Sequence, residues 1–313
     1  MNIQEVKRTL CGPMIPVITN LKEDLSVDLE AIKFNINSVV ERGFVKGSGV
    51  LLAVGAGGDF PMLTLQERKD VAKAIVDAAD GRTPVLVGAQ DNNPQVSIEM
   101  AQFAEEIGAY GIQLAPPFYY EPSDDDVLRW FRLIHGSTKR IAIMAYNTWW
   151  HGYNMSPDMV ARLAELERVV SLKWSTPNGG ADYAKGVARF ADQLAVVDNQ
   201  GLQVLTHMLG GTGYITHLAT VWPEHDLSLW GKMEAGDYAG ALSGFQNVNW
   251  PWTDFRGKMW ARTGGESSTV KAALEICGRP GGAARYPTRV LTDEERAELR
   301  EILTRIGAPN IQA

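Results

Sequence analysis

The chain has 313 residues, 45% of them hydrophobic and 21% charged, which is ordinary for a globular protein able to bury a large core. Its formal net charge of −7 and pI near 5.4 leave no basic face for nucleic acid or an anionic membrane. Cys11 and Cys277 fit neither a disulfide framework nor a metal motif, the N-terminus is charged where a signal peptide is apolar, and no stretch nears the roughly 20 apolar residues of a membrane helix, so a cytoplasmic protein is expected.

Short runs rich in Val, Ile and Leu recur at residues 14–19, 49–55, 84–89, 111–117, 141–147, 169–175, 194–199 and 213–216. They are too short for helices, and their continuous hydrophobicity fits strands of a parallel sheet buried on both faces. Amphipathic segments separate them. Thr64-Leu65-Gln66-Glu67 reads as a capping box, Ser123 is followed by three aspartates at the positive end of a helix, and Ser156-Pro157 puts Pro at a first helical position. Eight strands, each followed by a helix, predict a (β/α)8 barrel. From about Gly236 the alternation stops. The expected organisation is therefore a barrel over residues 1–235 that carries the active site, with helices of residues 236–313 packed on it in one compact unit.

Barrel enzymes carry their reactive groups at the C-terminal ends of strands. Strand six holds Lys173 in Val169-Val170-Ser171-Leu172-Lys173-Trp174-Ser175, where an unpaired ammonium would be costly to bury. Two readings fit. Burial can leave a neutral amine that attacks a ketone to form an iminium, or the lysine can be structural and paired with a carboxylate. Tyr146 ends the preceding strand, as a proton carrier or as a core aromatic. Trp174 should face the helix layer, since neighbouring strand residues point to opposite sides. Gly55-Ala56-Gly57-Gly58-Asp59-Phe60 fails the dinucleotide pattern at its sixth position; it reads as a cradle for a small anion or as a tight turn. The five histidines have no metal-binding spacing, and of them His151, close behind Tyr146, is the candidate for touching substrate. No metal and no cofactor are expected.

Together these tracts resemble the dihydrodipicolinate synthase/N-acetylneuraminate lyase family of class I, Schiff-base-forming pyruvate aldolases and lyases. The resemblance spans nearly the whole chain. Its G-T-T-G-E loop corresponds to Gly55-Ala56-Gly57-Gly58-Asp59, with Leu63-Thr64 and Glu67-Arg68 behind it. The P-x-Y tract corresponds to Pro117-Phe118-Tyr119, Y-N to Tyr146-Asn147, and G-x-K to Ser171-Leu172-Lys173. G-G-x-G-x-I-S corresponds to Gly210-Gly211-Thr212-Gly213-Tyr214-Ile215-Thr216, and the closing segment to Val270-Lys271-Ala272-Ala273-Leu274 and Arg285-Tyr286-Pro287. The resemblance implies that Lys173 forms the Schiff base and that Tyr146 shuttles the proton, with Tyr119 beside it, often across a subunit interface. It implies that Gly57 and Gly58, with Ala56, hold the 2-oxo acid carboxylate through backbone N–H groups, that Ile215 lines the substrate site, and that the protein is a homotetramer, a dimer of dimers.

Departures narrow the reading. Ala56 and Gly57 replace both loop threonines, removing the hydroxyls of a proton relay and of a carboxylate contact. The proline and arginine that follow Y-N in the lysine-pathway enzymes are absent; Thr148-Trp149-Trp150-His151-Gly152 stands there instead. This argues against dihydrodipicolinate synthesis and makes Trp149 and Trp150, with Tyr153, candidates for an aromatic wall. Three functions stay open: a 2-oxo acid lyase working in the aldol sense, a 2-keto-3-deoxy sugar acid dehydratase using the same iminium, and a catalytically silent 2-oxo acid binder.

Overall fold

Each apolar run coincides with one strand. In the structure, a computed structural model describing residues 1–312, these are β1 Gly12–Pro16, β2 Val50–Ala53, β3 Val85–Gly88, β4 Gly111–Leu114, β5 Ala142–Tyr146, β6 Val169–Trp174, β7 Ala195–Asp198 and β8 Gly213–Ile215. They pair in chain order and close, β8 onto β1, into a barrel. This is the expected (β/α)8 architecture. The helices are α1 Ile3–Thr9, α2 Leu29–Glu41, α3 Leu65–Ala79, α4 Pro94–Glu106, α5 Asp124–Gly136, α6 Pro157–Ala164, α7 Gly180–Phe190, α8 Gln203–Met208 and α9 Pro223–Glu234. Four more follow: α10 Tyr238–Gly244, α11 Trp250–Thr263, α12 Ser267–Ile276 and α13 Asp293–Ile306.

Helix starts follow the capping chemistry. Thr64 and Ser123 each form a full capping box, with Glu67 and Asp126 returning the bond, and the Ser156 hydroxyl accepts from the Met159 N–H. Trp174 does face the helix layer: its indole N–H donates to the Tyr183 carbonyl of α7 at 3.2 Å. Gly186 makes that seat possible, since a Cβ there would stand 2.6 Å from the indole nitrogen.

The chain packs as two compact units. The first comprises Met1–Met14, Gly49–Leu52 and Thr83–Ile215, the second Ile15–Ser48, Ala53–Arg82 and Thr216–Ala313. Inside the first, Met14, Leu52, Leu86, Met144, Val170 and Val197 form an apolar cluster with Val6 of α1 and Leu10, the residue that caps it. In the second, Trp252, Phe255 and Met259 of α11 pack with Leu274 of α12 and with Leu299 and Leu303 of α13. A hydrophobic run of side chains on each helix is thus buried against its neighbours.

One irregularity sets the site. Ile143 pairs with Val169, but Met144 pairs with Ser171, leaving Val170 as an extra residue in β6. Beyond this β-bulge the register places Tyr146 opposite Lys173. Without it, Tyr146 would face Leu172, and the lysine would fall on the other side of the sheet relative to the tyrosine.

Candidate active site

Lys173 lies within β6 and is 6% exposed. Its Nζ stands 3.9 Å from the centroid of the Tyr146 ring and reaches the amide oxygen of Gln113 on β4 at 3.4 Å. Gln113 is itself buried. It was not singled out from the sequence, although the same signal that marks Lys173, a polar residue inside an apolar strand run, marks it too.

The segment after β5 is pinned by Asn147, which is fully buried. Its side-chain amide donates to the Ser175 carbonyl at 2.8 Å and to Asn154 Oδ1 at 2.9 Å, while its own Oδ1 accepts from the Met155 N–H at 2.9 Å. The short turn Trp149–His151 therefore has fixed ends. From Tyr146 the rings run on as a series: Trp150 meets it edge-on at 5.9 Å, Trp149 meets Trp150 at 5.4 Å, and His151 lies 5.9 Å from Trp150 and 6.3 Å from Phe118. Both tryptophans keep 38% of their surface exposed. The Tyr153 hydroxyl donates to Asp124 at the start of α5 at 2.5 Å, and burial with that carboxylate holds its pKa up. Tyr119 has a positive φ of 78° and is 86% exposed, its ring meeting Tyr120 edge-on at 5.2 Å. Ile215 packs on the apolar cluster of the first unit.

The glycine loop belongs to the second unit. Ala56–Gly58 forms one 3-10 turn in which the Gly58 N–H donates to the Gly55 carbonyl and the Asp59 N–H to that of Ala56, both at 3.0 Å. The first donors of such a turn, the N–H groups of Ala56 and Gly57, have no partner within it. Gly58 passes close to backbone, with the place of a Cβ only 2.7 Å from the Val17 carbonyl oxygen, and its own carbonyl accepts from the Thr19 hydroxyl at 2.7 Å. Asp59 ends the loop in the left-handed region at φ 57°. It accepts from the Ser267 hydroxyl at 2.7 Å and lies 3.5 Å from the Lys271 amine of α12. Burial pushes the Asp59 carboxyl up and the Lys271 amine down, their mutual attraction opposing both shifts. This second buried lysine is held in place, donating to the Ala283 carbonyl at 2.7 Å.

Among the described residues no group of three or more His, Cys, Asp or Glu side chains is arranged to hold a metal ion, and no helix is long and apolar enough to cross a membrane. The chemistry available at Lys173 is that of an amine beside a phenol ring and an amide.

The model of the dihydrodipicolinate synthetase family matches residues 9–306. The chain belongs to that family. Membership makes it one of an enzyme family of pyruvate-dependent aldolases and lyases, acting on small pyruvate-type molecules. It is 28% identical over 302 residues to 4-hydroxy-tetrahydrodipicolinate synthase of Anaeromyxobacter dehalogenans, covering 96% of this chain and 98% of that one. The synthase of the same name from Methanocaldococcus jannaschii is 28% identical over 294 residues, covering 93% and 97%. Among solved structures, dihydrodipicolinate synthase of Aquifex aeolicus superposes with a TM-score of 0.83 at 25% identity, covering 97% of this chain and all of that one.

Proposed function

We propose that this member of the dihydrodipicolinate synthetase family is a class I 2-oxo acid lyase that cleaves to, or condenses, pyruvate-type acids and an aldehyde through an iminium on Lys173. The observation that carries the reading is the buried Lys173 amine facing the Tyr146 ring at 3.9 Å. In the condensing direction the neutral amine adds to the ketone carbon and the carbinolamine expels its oxygen as water. The resulting iminium accepts the electron pair left when C3 loses a proton. The enamine attacks the aldehyde, a proton reaches the new alkoxide, and water then releases the product and restores the amine. Tyr146 is the proton carrier in this reading.

The turn at Ala56, Gly57 and Gly58 is read as the carboxylate cradle, acting through backbone N–H groups. The ring series of Trp149, Trp150 and His151 supports an aldehyde with an apolar or aromatic body. That segment, standing where the lysine-pathway enzymes carry proline and arginine, supports a product other than dihydrodipicolinate. Tyr119, on the surface of the single chain, suits a residue that a neighbouring copy covers in a homotetramer, and light scattering at the mass of four chains is the corresponding result.

The test is product analysis. Incubated with pyruvate and a panel of aliphatic and aromatic aldehydes, the protein should yield a carbon–carbon adduct that the Lys173→Ala protein does not. If a 2-keto-3-deoxy sugar acid loses water and no aldehyde reacts, the dehydratase reading replaces this one. Inertness toward both substrate classes would leave a silent binder.

A further inference from the structure

Gln113 lies on β4 and is 3% exposed. In the ladder it stands opposite Met144 of β5, and Met144 stands opposite Ser171 of β6. Its place is therefore two residues nearer the N-terminal ends of the strands than the Tyr146–Lys173 pair, within the same unit of the chain. The Lys173 amine reaches down to it, Nζ donating to Gln113 Oε1 at 3.4 Å. That is long for such a bond, as catalytic contacts often are before a substrate draws them tight.

The other half of the amide is unused. Its oxygen takes the lysine N–H, but among the described residues the two N–H donors of Gln113 Nε2 meet no acceptor. Nor is Nε2 one of the fully enclosed polar atoms that lack a partner, so it borders space that solvent can enter. A carboxamide set among apolar strand residues needs partners at both ends. An acceptor atom bound next to the Lys173 nitrogen would supply the second.

We infer that Gln113 is a catalytic residue that holds the carbinolamine at Lys173 by both ends of its carboxamide, accepting the N–H on Oε1 and donating from Nε2 to the oxygen that was the ketone. The inference rests on the Schiff-base reading of Lys173 and adds the side chain that meets the reacting atoms. Two forks match: one carbon of the carboxamide joins an acceptor oxygen and a donor nitrogen, and one carbon of the carbinolamine joins a donor nitrogen and an acceptor oxygen. With the nitrogen already at Oε1, the neighbouring oxygen falls to Nε2. In the step itself the amine pair bonds the ketone carbon, the carbonyl pair moves to oxygen, and a proton passes from nitrogen to that oxygen. The hydroxyl then leaves as water with a proton from Tyr146, and the nitrogen pair closes the iminium. Gln113 gives up no proton; it steadies the oxygen while the carbinolamine forms and breaks.

The experiment compares two additions to the Lys173 amine in Gln113→Leu. One is pyruvate, quenched with borohydride in a single turnover. The other is acrylonitrile, which alkylates an amine without leaving oxygen on the attacked carbon; both products are read by peptide mass. Loss of the bond to the ketone-derived oxygen slows pyruvate addition about tenfold, while the acrylonitrile rate at Lys173 stays within about threefold. Gln113→Met, which keeps the side chain's length and stands in if the leucine variant does not fold, should show the same split. Equal slowing of both additions means that the amide only positions the amine, and no slowing of either means that Gln113 takes no part; both results overturn the inference while leaving the Schiff-base reading intact. Absence of any adduct with pyruvate or a larger 2-oxo acid in the unaltered protein overturns that reading, and this inference with it.

Discussion

Tyr146 and Lys173 face each other in register on β5 and β6 because Val170 is bulged out of the ladder three residues before the lysine. The bulge, more than the identity of either residue, decides which face of the sheet the amine shares with the phenol. Inserting one alanine between Ser171 and Leu172 should therefore bring Leu172 opposite Tyr146 and remove Lys173 from its partner, whereas deleting the unpaired Val170 should leave Tyr146 and Lys173 in register. An insertion variant that still melts cooperatively is expected to form no pyruvate adduct at Lys173 by peptide mass.

Tyr146→Phe separates the ring from the hydroxyl. The face that Lys173 meets at 3.9 Å is retained, so the melting temperature should hold and the adduct should still form. Turnover is expected to fall by roughly 10²–10⁴-fold, the usual contribution of a positioned proton carrier. Steady-state kinetics beside single-turnover trapping makes the distinction, and an unchanged turnover would remove Tyr146 from the proton path.

Gln113→Leu takes away the amide oxygen 3.4 Å from the Lys173 amine while roughly keeping the volume. A neutral bond of that kind contributes about 0.5–1.5 kcal/mol, so adduct formation should slow by roughly threefold to tenfold. A rate equal to that of the unaltered protein would make Gln113 a bystander.

How much of this could be read from the residues follows from what each feature depends on. The strands and the barrel were legible because continuous Val/Ile/Leu runs and capping boxes are local signals, and α3, α5 and α6 begin at the residues that cap them. Lys173 stood out as a charge in an apolar strand, and Trp174 followed by alternation. The bulge at Val170 was not legible, since it is a property of pairing between two strands and no residue type announces it. Nor was the approach of His217 to Gly57, which are distant in sequence and meet only in the folded chain. The bond from the Tyr153 hydroxyl to Asp124 was not legible either, since its partner stands at the start of α5 and meets it only in the folded chain.

Acid stability carries its own expectation. Arg285 grips Glu67 through both guanidinium nitrogens and draws its pKa from 4.5 down to about 2. A folded-state pKa below the unfolded one means that the stabilisation is fully present above about pH 4.5 and is lost as the pH falls toward 2. Both side chains are partly exposed, and solvent screening brings the contribution to about 1 kcal/mol. Arg285→Met should lower the unfolding free energy by about that amount at pH 7, with the gap to the unaltered protein closing as the pH approaches 2. Urea unfolding at a series of pH values reads this directly, and a gap that persists in acid would assign the effect to packing instead.

The central claim is the covalent one. Incubating the protein with pyruvate, reducing with borohydride and mapping the peptides should give a pyruvyl mass addition on the peptide that contains Lys173 and on no other lysine, the buried Lys271 included. The Lys173→Ala protein should give none. An adduct at a different lysine, or none with pyruvate or any larger 2-oxo acid, would contradict the account and leave the aromatic wall and the glycine loop as parts of a binding site without chemistry.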